Sequence, residues 1–111
     1  MKIVNLTPHE IKIVSEDGTV AATFPSQGIA RATQTAKVIG KLNGIEIVSM
    51  EFGKPENLPE FTDGIYYVVS VITANAAKAT GREMSDLLIT ADPVRDEAGR
   101  IIGCRRFATI A

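Results

Sequence analysis

The stretch Ile65–Gly81, with the sequence IYYVVSVITANAAKATG, decides the fold. Its first five residues are tyrosines and branched aliphatic residues, a composition typical of a buried central strand. A helix is predicted from Ser70 to Thr80, because the alanines between Thr73 and Ala79 lose no side-chain entropy on helix formation. Gly81 suits the position just after a helix. The centre of the chain is therefore predicted to be a strand followed by a helix.

The residues before this stretch are predicted to form strands joined by turns. Thr7-Pro8 ends the first strand, Ser15–Gly18 closes a hairpin, and Asn43-Gly44 lies between two apolar runs as a hairpin turn. The predicted strands are Lys2–Leu6, Glu10–Val14, Thr19–Phe24, Ile29–Ile39 and the two runs on either side of Asn43-Gly44. The alanines in Ile29–Ile39 also tolerate a helix, but the β-branched alternation favours a strand. This half of the chain is therefore predicted to be β-rich.

After the helix, a short strand Leu87–Thr90 is expected to stop at Asp92-Pro93, and the chain is expected to end in a β-hairpin that includes Arg100–Phe107. The elements together predict an α+β fold, with a mainly antiparallel β-sheet, one or two short helices and a C-terminal β-hairpin. With 111 residues, the chain is the size of a single domain, predicted to span residues 1–111.

Composition excludes several classes of protein. The chain is 45% hydrophobic and 23% charged, with a formal charge of -1 and a pI near 5.8, so it has no overall positive field to hold duplex nucleic acid. The apolar run Ile65–Ile72 is far shorter than the ~20 residues that cross a bilayer. Met1–Asn5 lacks the layout of a signal peptide. We therefore expect a soluble, cytoplasmic protein with no membrane partner.

The single histidine and single cysteine limit the chemistry that the chain can carry. They exclude an intrachain disulfide and a zinc site built from several sulfur and nitrogen ligands, so no metal and no redox cofactor is predicted. His9 follows Thr7-Pro8 in a turn, where a surface role is favoured over a catalytic one. Cys104 has arginine neighbours that could make its thiol reactive, but a half-buried strand position is the favoured interpretation. The sequence predicts no catalytic residue and no enzyme.

The distribution of arginine indicates an anion site. Five of the six arginines follow residue 81, and the planar guanidinium group matches phosphate and carboxylate. Asn75, Lys78 and Arg82 would share one stripe if the helix continued through Gly81. The predicted ligand-binding residues are Arg105, Arg106, Arg82, Arg95, Asn75 and Tyr67. An equally weighted alternative is that the arginines pair with nearby acids in solvent.

Self-association is also predicted. A domain of this size buries a limited core, and regular alternation in Arg100–Phe107 gives two faces that are neither cleanly apolar nor cleanly polar. Such a strand suits an arm that packs on another subunit, with Gly103 allowing close backbone approach. The protein is therefore expected to be a homo-oligomer.

Both ends of the chain resemble small phage and prophage proteins. The resemblance is carried by Val4–Ile11, VNLTPHEI, and by Val94–Arg105, VRDEAGRIIGCR. Within that set the chain resembles the Thoeris anti-defence "sponge" family over most of its length, through motifs of low specificity. The resemblance implies an antiparallel sheet with flanking helices and a C-terminal hairpin that reaches a partner subunit. It also implies a viral protein in the host cytoplasm that holds glycocyclic ADP-ribose at subunit interfaces without cleaving it, with cyclic trinucleotides as a second ligand class. It assigns no binding residue.

Two other classes of protein fit the same sequence. A small phage structural or adaptor protein, acting through contacts with itself and with other proteins, would have a similar composition. A nucleotide-cleaving enzyme would convert the ligand instead of retaining it. Ligand retention therefore distinguishes the three classes.

Overall fold

The computed structural model describes residues 1–110 as eight strands and one helix. The strands are β1 (Lys2–Asn5), β2 (Ile11–Val14), β3 (Val20–Phe24), β4 (Gln34–Leu42), β5 (Ile45–Phe52), β6 (Ile65–Val68), β7 (Leu87–Arg95) and β8 (Ile101–Ala108), and the helix is α1 (Val71–Ala79). No helix within residues 1–110 combines the length and apolarity needed to cross a bilayer.

Six of the strands form one sheet in the order β1-β6-β7-β8-β2-β3, and β4 and β5 form a separate two-stranded sheet. The predicted α+β class and the C-terminal hairpin, β7–β8, are both confirmed. Most paired residues belong to antiparallel pairs, but β1–β6, β6–β7 and β2–β8 are parallel. β6 and β7 are parallel because α1 carries the chain from the end of β6 back over the sheet to the start of β7.

The predicted strand and helix at the centre are confirmed within a residue or two at each end. The hydroxyl of Ser70 accepts a hydrogen bond from the Thr73 N–H at 3.2 Å, which caps the start of α1. Gly81 has a φ of +80°, the left-handed conformation that ends helices. The helix therefore does not continue through Gly81, and the conditional stripe of Asn75, Lys78 and Arg82 does not form.

The six-stranded sheet is packed on both faces. Tyr67 and Val69 belong to a core cluster with Ala74 and Ala77 of α1, whereas Val68 belongs to a second cluster with Ile11 and Cys104. Successive residues of a strand point to opposite faces, so β6 supplies both clusters. This double burial explains why Ile65–Val69 is continuously apolar.

The prediction that a strand stops before Asp92-Pro93 is wrong. β7 continues to Arg95, with Pro93 opposite Cys104 and Val94 opposite Gly103 of β8. Asp92 has a φ of 55°, a conformation that aspartate tolerates better than most residues. The pairing register with β8 is the same on both sides of Asp92, and it shifts only between Val94 and Arg95. Asp92 and Pro93 are therefore accommodated within the strand.

The predicted strand over Ile29–Ile39 begins later than expected, at Gln34. Ala30 is buried, and Arg31 makes an isolated bridge to Glu56. The predicted turn at Asn43-Gly44 is confirmed, since both residues have positive φ, 51° and 80°. We call the hairpin Gln34–Phe52 the ribbon.

Candidate functional site

A cleft with a volume of about 720 Å³ opens at the end of the sheet where β1 and β6 finish. Its walls are formed by residues 7–12, 69–71 and 101–104, together with Ile89, Thr90 and Pro93. In sheets with parallel strands and crossover helices, ligands bind outside the carboxyl ends of the strands. The cleft occupies that position for the β6–α1–β7 unit.

Asn5 holds the loop that forms one wall of the cleft. Its side chain is fully buried, and its Nδ2 donates to the carbonyl oxygens of His9 at 2.7 Å and Phe24 at 2.9 Å. Its Oδ1 accepts from the N–H of Thr7 at 2.9 Å and from the Thr7 hydroxyl at 2.7 Å. Both donors and both acceptor positions of the amide are therefore used. Asn5 therefore holds the Thr7-Pro8-His9 turn in place, together with the Ser26 hydroxyl, which donates to the Thr7 carbonyl at 2.6 Å.

The start of α1 forms the opposite wall. Ser70 and Val71 line the cleft, and the first turn of the helix contains no acidic side chain. The first N–H groups of a helix have no acceptor within the helix, and they carry the positive end of its dipole. An anionic group is therefore stabilised at this wall.

Charged side chains at the cleft are few and exposed. Lys12 lies 3.8 Å from Glu10, and the two side chains are 47% and 51% exposed, so the pair contributes little stability. His9 also lines the cleft. Lys12 is thus a cation that remains able to meet a ligand from solvent.

The remaining lining is largely apolar and accessible. Val71, Ile101 and Ile102 line the cleft and are 52%, 61% and 48% exposed. Large apolar side chains open to water around a concave site are typical of ligand-binding surfaces. The cleft therefore combines an anion-binding helix end with apolar walls that suit a flat ring.

None of the six predicted ligand residues lies among the residues that line this cleft. Arg106 forms an ion pair with Asp92, Arg95 donates to the Gly99 carbonyl at 2.8 Å, and Arg105 donates to the Val14 carbonyl at 3.4 Å. Within this chain the C-terminal arginines contact turn and strand groups and are not gathered around one pocket. Their role in ligand binding stays a prediction.

Arg82 lines a second, smaller pocket and forms an ion pair within the chain, and its role in ligand binding stays a prediction. Its guanidinium group forms two hydrogen bonds to Asp86, Nη1 to Oδ1 at 2.7 Å and Nη2 to Oδ2 at 2.9 Å. Nη2 also donates to the Pro59 carbonyl at 2.6 Å. The Asp86 side chain is only 2% exposed. The pair ties the segment after α1 to the loop before β6.

The other two predicted residues are also separate from the cleft. Tyr67 is 6% exposed and belongs to the core cluster beside α1, and Asn75 is half-buried on α1. Neither is among the residues that line the cleft, and their role in ligand binding stays a prediction.

Cys104 is 4% exposed on β8, and its burial raises the pKa of its thiol. A raised pKa lowers the thiolate fraction, so the reactive-thiol alternative is not favoured. Within residues 1–110, no three His, Cys, Asp or Glu side chains are placed to hold a metal ion together.

Gly103 allows a close approach inside the chain. A Cβ added at this residue would lie 2.6 Å from the Lys12 carbonyl oxygen and 2.7 Å from the Val14 side chain. β8 is hydrogen-bonded to β7 on one side and to β2 on the other. The backbone approach that was expected at a subunit seam is therefore made between β8 and β2.

The cleft is not predicted by the sequence, although its walls carry recognisable signals. Thr7-Pro8-His9 ends β1, and Ser70 follows β6 as a helix cap. The two segments meet only because β1 and β6 are parallel neighbours. That pairing joins residues more than sixty positions apart, and no local pattern specifies it.

The chain matches no protein-family model, and comparisons with curated proteins and with solved structures found no similar protein. The functional assignment therefore depends on the geometry of the cleft and on the sequence.

Proposed function

We propose that the protein binds a cyclic nucleotide signal in the cleft and sequesters it without cleaving it. The observation that carries the proposal is the meeting of the α1 N-terminus with the apolar walls formed by Val71, Ile101 and Ile102. A phosphate group suits the helix end, and a base suits the apolar walls. Lys12 lies at the same site and supplies a cation, which Glu10 in the same lining partly offsets.

The hydrogen bonds of Ser70 support retention over turnover. The Ser70 hydroxyl accepts from the Thr73 N–H and donates to the Thr73 hydroxyl at 2.9 Å, so it is used in the helix cap. A nucleophilic serine instead needs a hydrogen bond to a base. The proposed activity is therefore binding alone, with no cofactor.

The resemblance to the Thoeris anti-defence sponge family supports the ligand class. It suggests a glycocyclic ADP-ribose as the first ligand to test and cyclic trinucleotides as the second, with the host cytoplasm as the place of action. In a homo-oligomer, Arg105, Arg106 or Arg95 of a second copy could complete the site at the mouth of the cleft. That contribution is part of the proposal.

The alternative function is a phage structural or adaptor protein. It is favoured by one observation, the exposed apolar side chains of the ribbon, which suit a contact with another protein. An adaptor would sediment with phage particles, whereas a sponge would remain free and hold its ligand.

The first experiment measures ligand retention. The protein is incubated with a panel of cyclic nucleotides, and the free ligand is quantified before and after heat denaturation. We expect one panel member to be depleted and then released intact by heat. Conversion of the ligand would show an enzyme instead. If every ligand stayed free, the binding proposal would be rejected.

The second experiment locates the site with Val71→Glu. An acidic residue in the first turn stabilises a helix, so this variant should fold. The same charge faces an anionic ligand and should weaken its binding by roughly tenfold or more. Val20→Glu is the matched control, because Val20 is similarly exposed, at 51%, and does not line the cleft. Equal affinity in both variants would exclude the cleft as the site.

A further inference from the structure

The ribbon contacts the rest of the described chain where β5 passes α1, but this contact leaves nearly all of its side chains open to water. Among the strands in residues 1–110, β4 and β5 form hydrogen bonds with each other and with no other strand. Every residue of the two strands except Phe52 is exposed. An isolated two-stranded hairpin is marginally stable at best in water. A ribbon of this length therefore calls for a partner surface.

The exposed side chains of the ribbon are strongly apolar. Seven of them are between 42% and 68% exposed: Val38, Ile39, Leu42, Ile45, Ile47, Val48 and Met50. Leu42 lies opposite Ile45, and Ile47 follows on the same face, next to the bulge at Ile39. We call Ile39, Leu42, Ile45 and Ile47 the tip patch.

The charges of the ribbon are divided between its two strands. β4 contains Lys37 and Lys41, and β5 contains Glu46 and Glu51, so the ribbon is neutral with one cationic and one anionic strand. Two copies that met edge to edge through the same strand would bring like charges together. Lys37 and Glu51 lie on the same face as the tip patch, whereas Lys41 and Glu46 lie opposite each other on the other face. Two copies that stack through the tip-patch face about a two-fold axis along the strands place Lys37 of each copy over β5 of the other, near Glu51. The ribbon is therefore complementary to a second copy of itself.

The available area also fits a contact between copies. The seven side chains expose on the order of 500 Å² of apolar surface per copy. A standard interface covers roughly 800 Å² per partner, a little more than half of it apolar. Two-stranded ribbons twist strongly, so ribbons wound around each other cover parts of both faces.

We propose that the ribbon is the self-association element of this protein, and that it packs face to face on the ribbon of a second copy with the tip patches at the centre. The occupant is a second copy because the apolar patch and the divided charges of the ribbon complement each other. This contact differs from the C-terminal hairpin, which the sequence predicted as the arm that packs on another subunit. It does not depend on a ligand in the cleft.

The test compares the mass of the protein in solution across variants. Sedimentation velocity from low to high micromolar concentration should show a dimer or a larger even-numbered assembly for the parent. Ile45→Asp and Ile47→Asp place a charge at the centre of the contact and should raise the dissociation constant by roughly a hundredfold or more. Val20→Asp, on the edge strand β3, is the matched control and should keep the parent mass.

Ile101→Asp tests the C-terminal hairpin with a similarly exposed residue, at 61%. Dissociation by this variant and not by the tip-patch variants would overturn the proposal in favour of the hairpin. A monomeric parent at high micromolar concentration would also overturn it. Thermal melts of each variant confirm folding, and ligand retention is measured separately, so failure of the cleft proposal and failure of this one are distinguishable.

A mixing experiment identifies the partner as a second copy and remains informative if the aspartate variants fail to fold. One variant carries Lys37→Glu and the other carries Glu51→Lys, because these two side chains lie on the face of the tip patch. Each alone brings like charges together and should dissociate, and a one-to-one mixture should recover the parent mass. A mixture that stays monomeric while the parent is oligomeric would overturn the proposal.

Discussion

At the scale of single residues, Asn5 connects β1, β3 and the cleft wall through the two donors and the acceptor oxygen of one buried amide. Asn5→Ala should lower the free energy of unfolding by about 2 to 4 kcal/mol, because it empties a fully buried side-chain position and leaves two partly buried carbonyl groups and an N–H without their partner. Urea denaturation measures the change.

Thr7→Ala is the control for that loss. It removes one hydroxyl that bonds to the same Oδ1 and should cost about 1 kcal/mol. Equal losses in the two variants would contradict the central role of the Asn5 amide.

Arg82 is predicted to support stability. Arg82→Ala leaves the buried Asp86 carboxylate without its guanidinium partner and should cost about 3 to 5 kcal/mol. Arg100→Ala removes an ion pair whose arginine is 80% exposed and should change stability by less than about 0.5 kcal/mol. A stable Arg82→Ala variant that had lost ligand affinity would instead restore Arg82 as a binding residue.

The raised pKa of Cys104 gives stability a pH dependence. In the unfolded chain the thiol ionises near its ordinary value of 9.0, whereas in the fold its pKa lies above that value. Between the two values the folded state holds more protons, so stability falls as pH rises through this range. The difference in unfolding free energy between the parent and Cys104→Ala, measured at neutral and alkaline pH, should shrink as pH rises. A constant difference would contradict the raised pKa.

At the scale of elements, the sequence predicted those turns, helices and hairpins that are formed by residues close together in the chain. The Asn43-Gly44 turn, the helix between Ser70 and Gly81 and the C-terminal hairpin each depend on residues that are close in sequence. The continuation of β7 through Asp92-Pro93 was missed, because pairing with β8 overrides two strand-breaking residues. The length of β7 is therefore set by its pairing with β8 and not by the local propensity of its residues.

The β2–β8 contact provides the prediction at this scale. Gly103→Ala forces a Cβ against the Lys12 carbonyl oxygen and should lower stability by about 1 to 3 kcal/mol. Gly40→Ala is the matched control, since a Cβ at this strand position meets no atom within 4 Å. It should change stability by less than about 0.5 kcal/mol. Comparable losses of stability in the two variants would show that replacing any strand glycine is destabilising, and that the close approach of β8 to β2 is not the cause.

At the scale of the whole molecule, the site was harder to predict than the elements. The cleft brings together the ends of β1 and β6, the start of α1 and part of β8, and its position follows from the strand order. The arginine bias was a correct observation about composition, but the guanidinium groups of Arg82 and Arg106 are paired with Asp86 and Asp92 of the same chain. Which charges pair with one another is set by three-dimensional contacts that spacing does not encode.

The six-stranded sheet is expected to fold without the ribbon. The N–H of Gly53 donates to the carbonyl of Thr33 at 2.8 Å, so the two ends of the ribbon already have the geometry that a two-residue turn closes. Replacing residues 34–52 with Asn-Gly should therefore leave the six-stranded sheet folded.

The shortened chain should melt cooperatively and sediment as a monomer, because its core clusters draw no residue from the ribbon. Circular dichroism and sedimentation velocity measure the two properties. An unfolded product would show that the ribbon supports the core. A folded product that remained oligomeric would place self-association on the six-stranded sheet, where the C-terminal hairpin is the first surface to test.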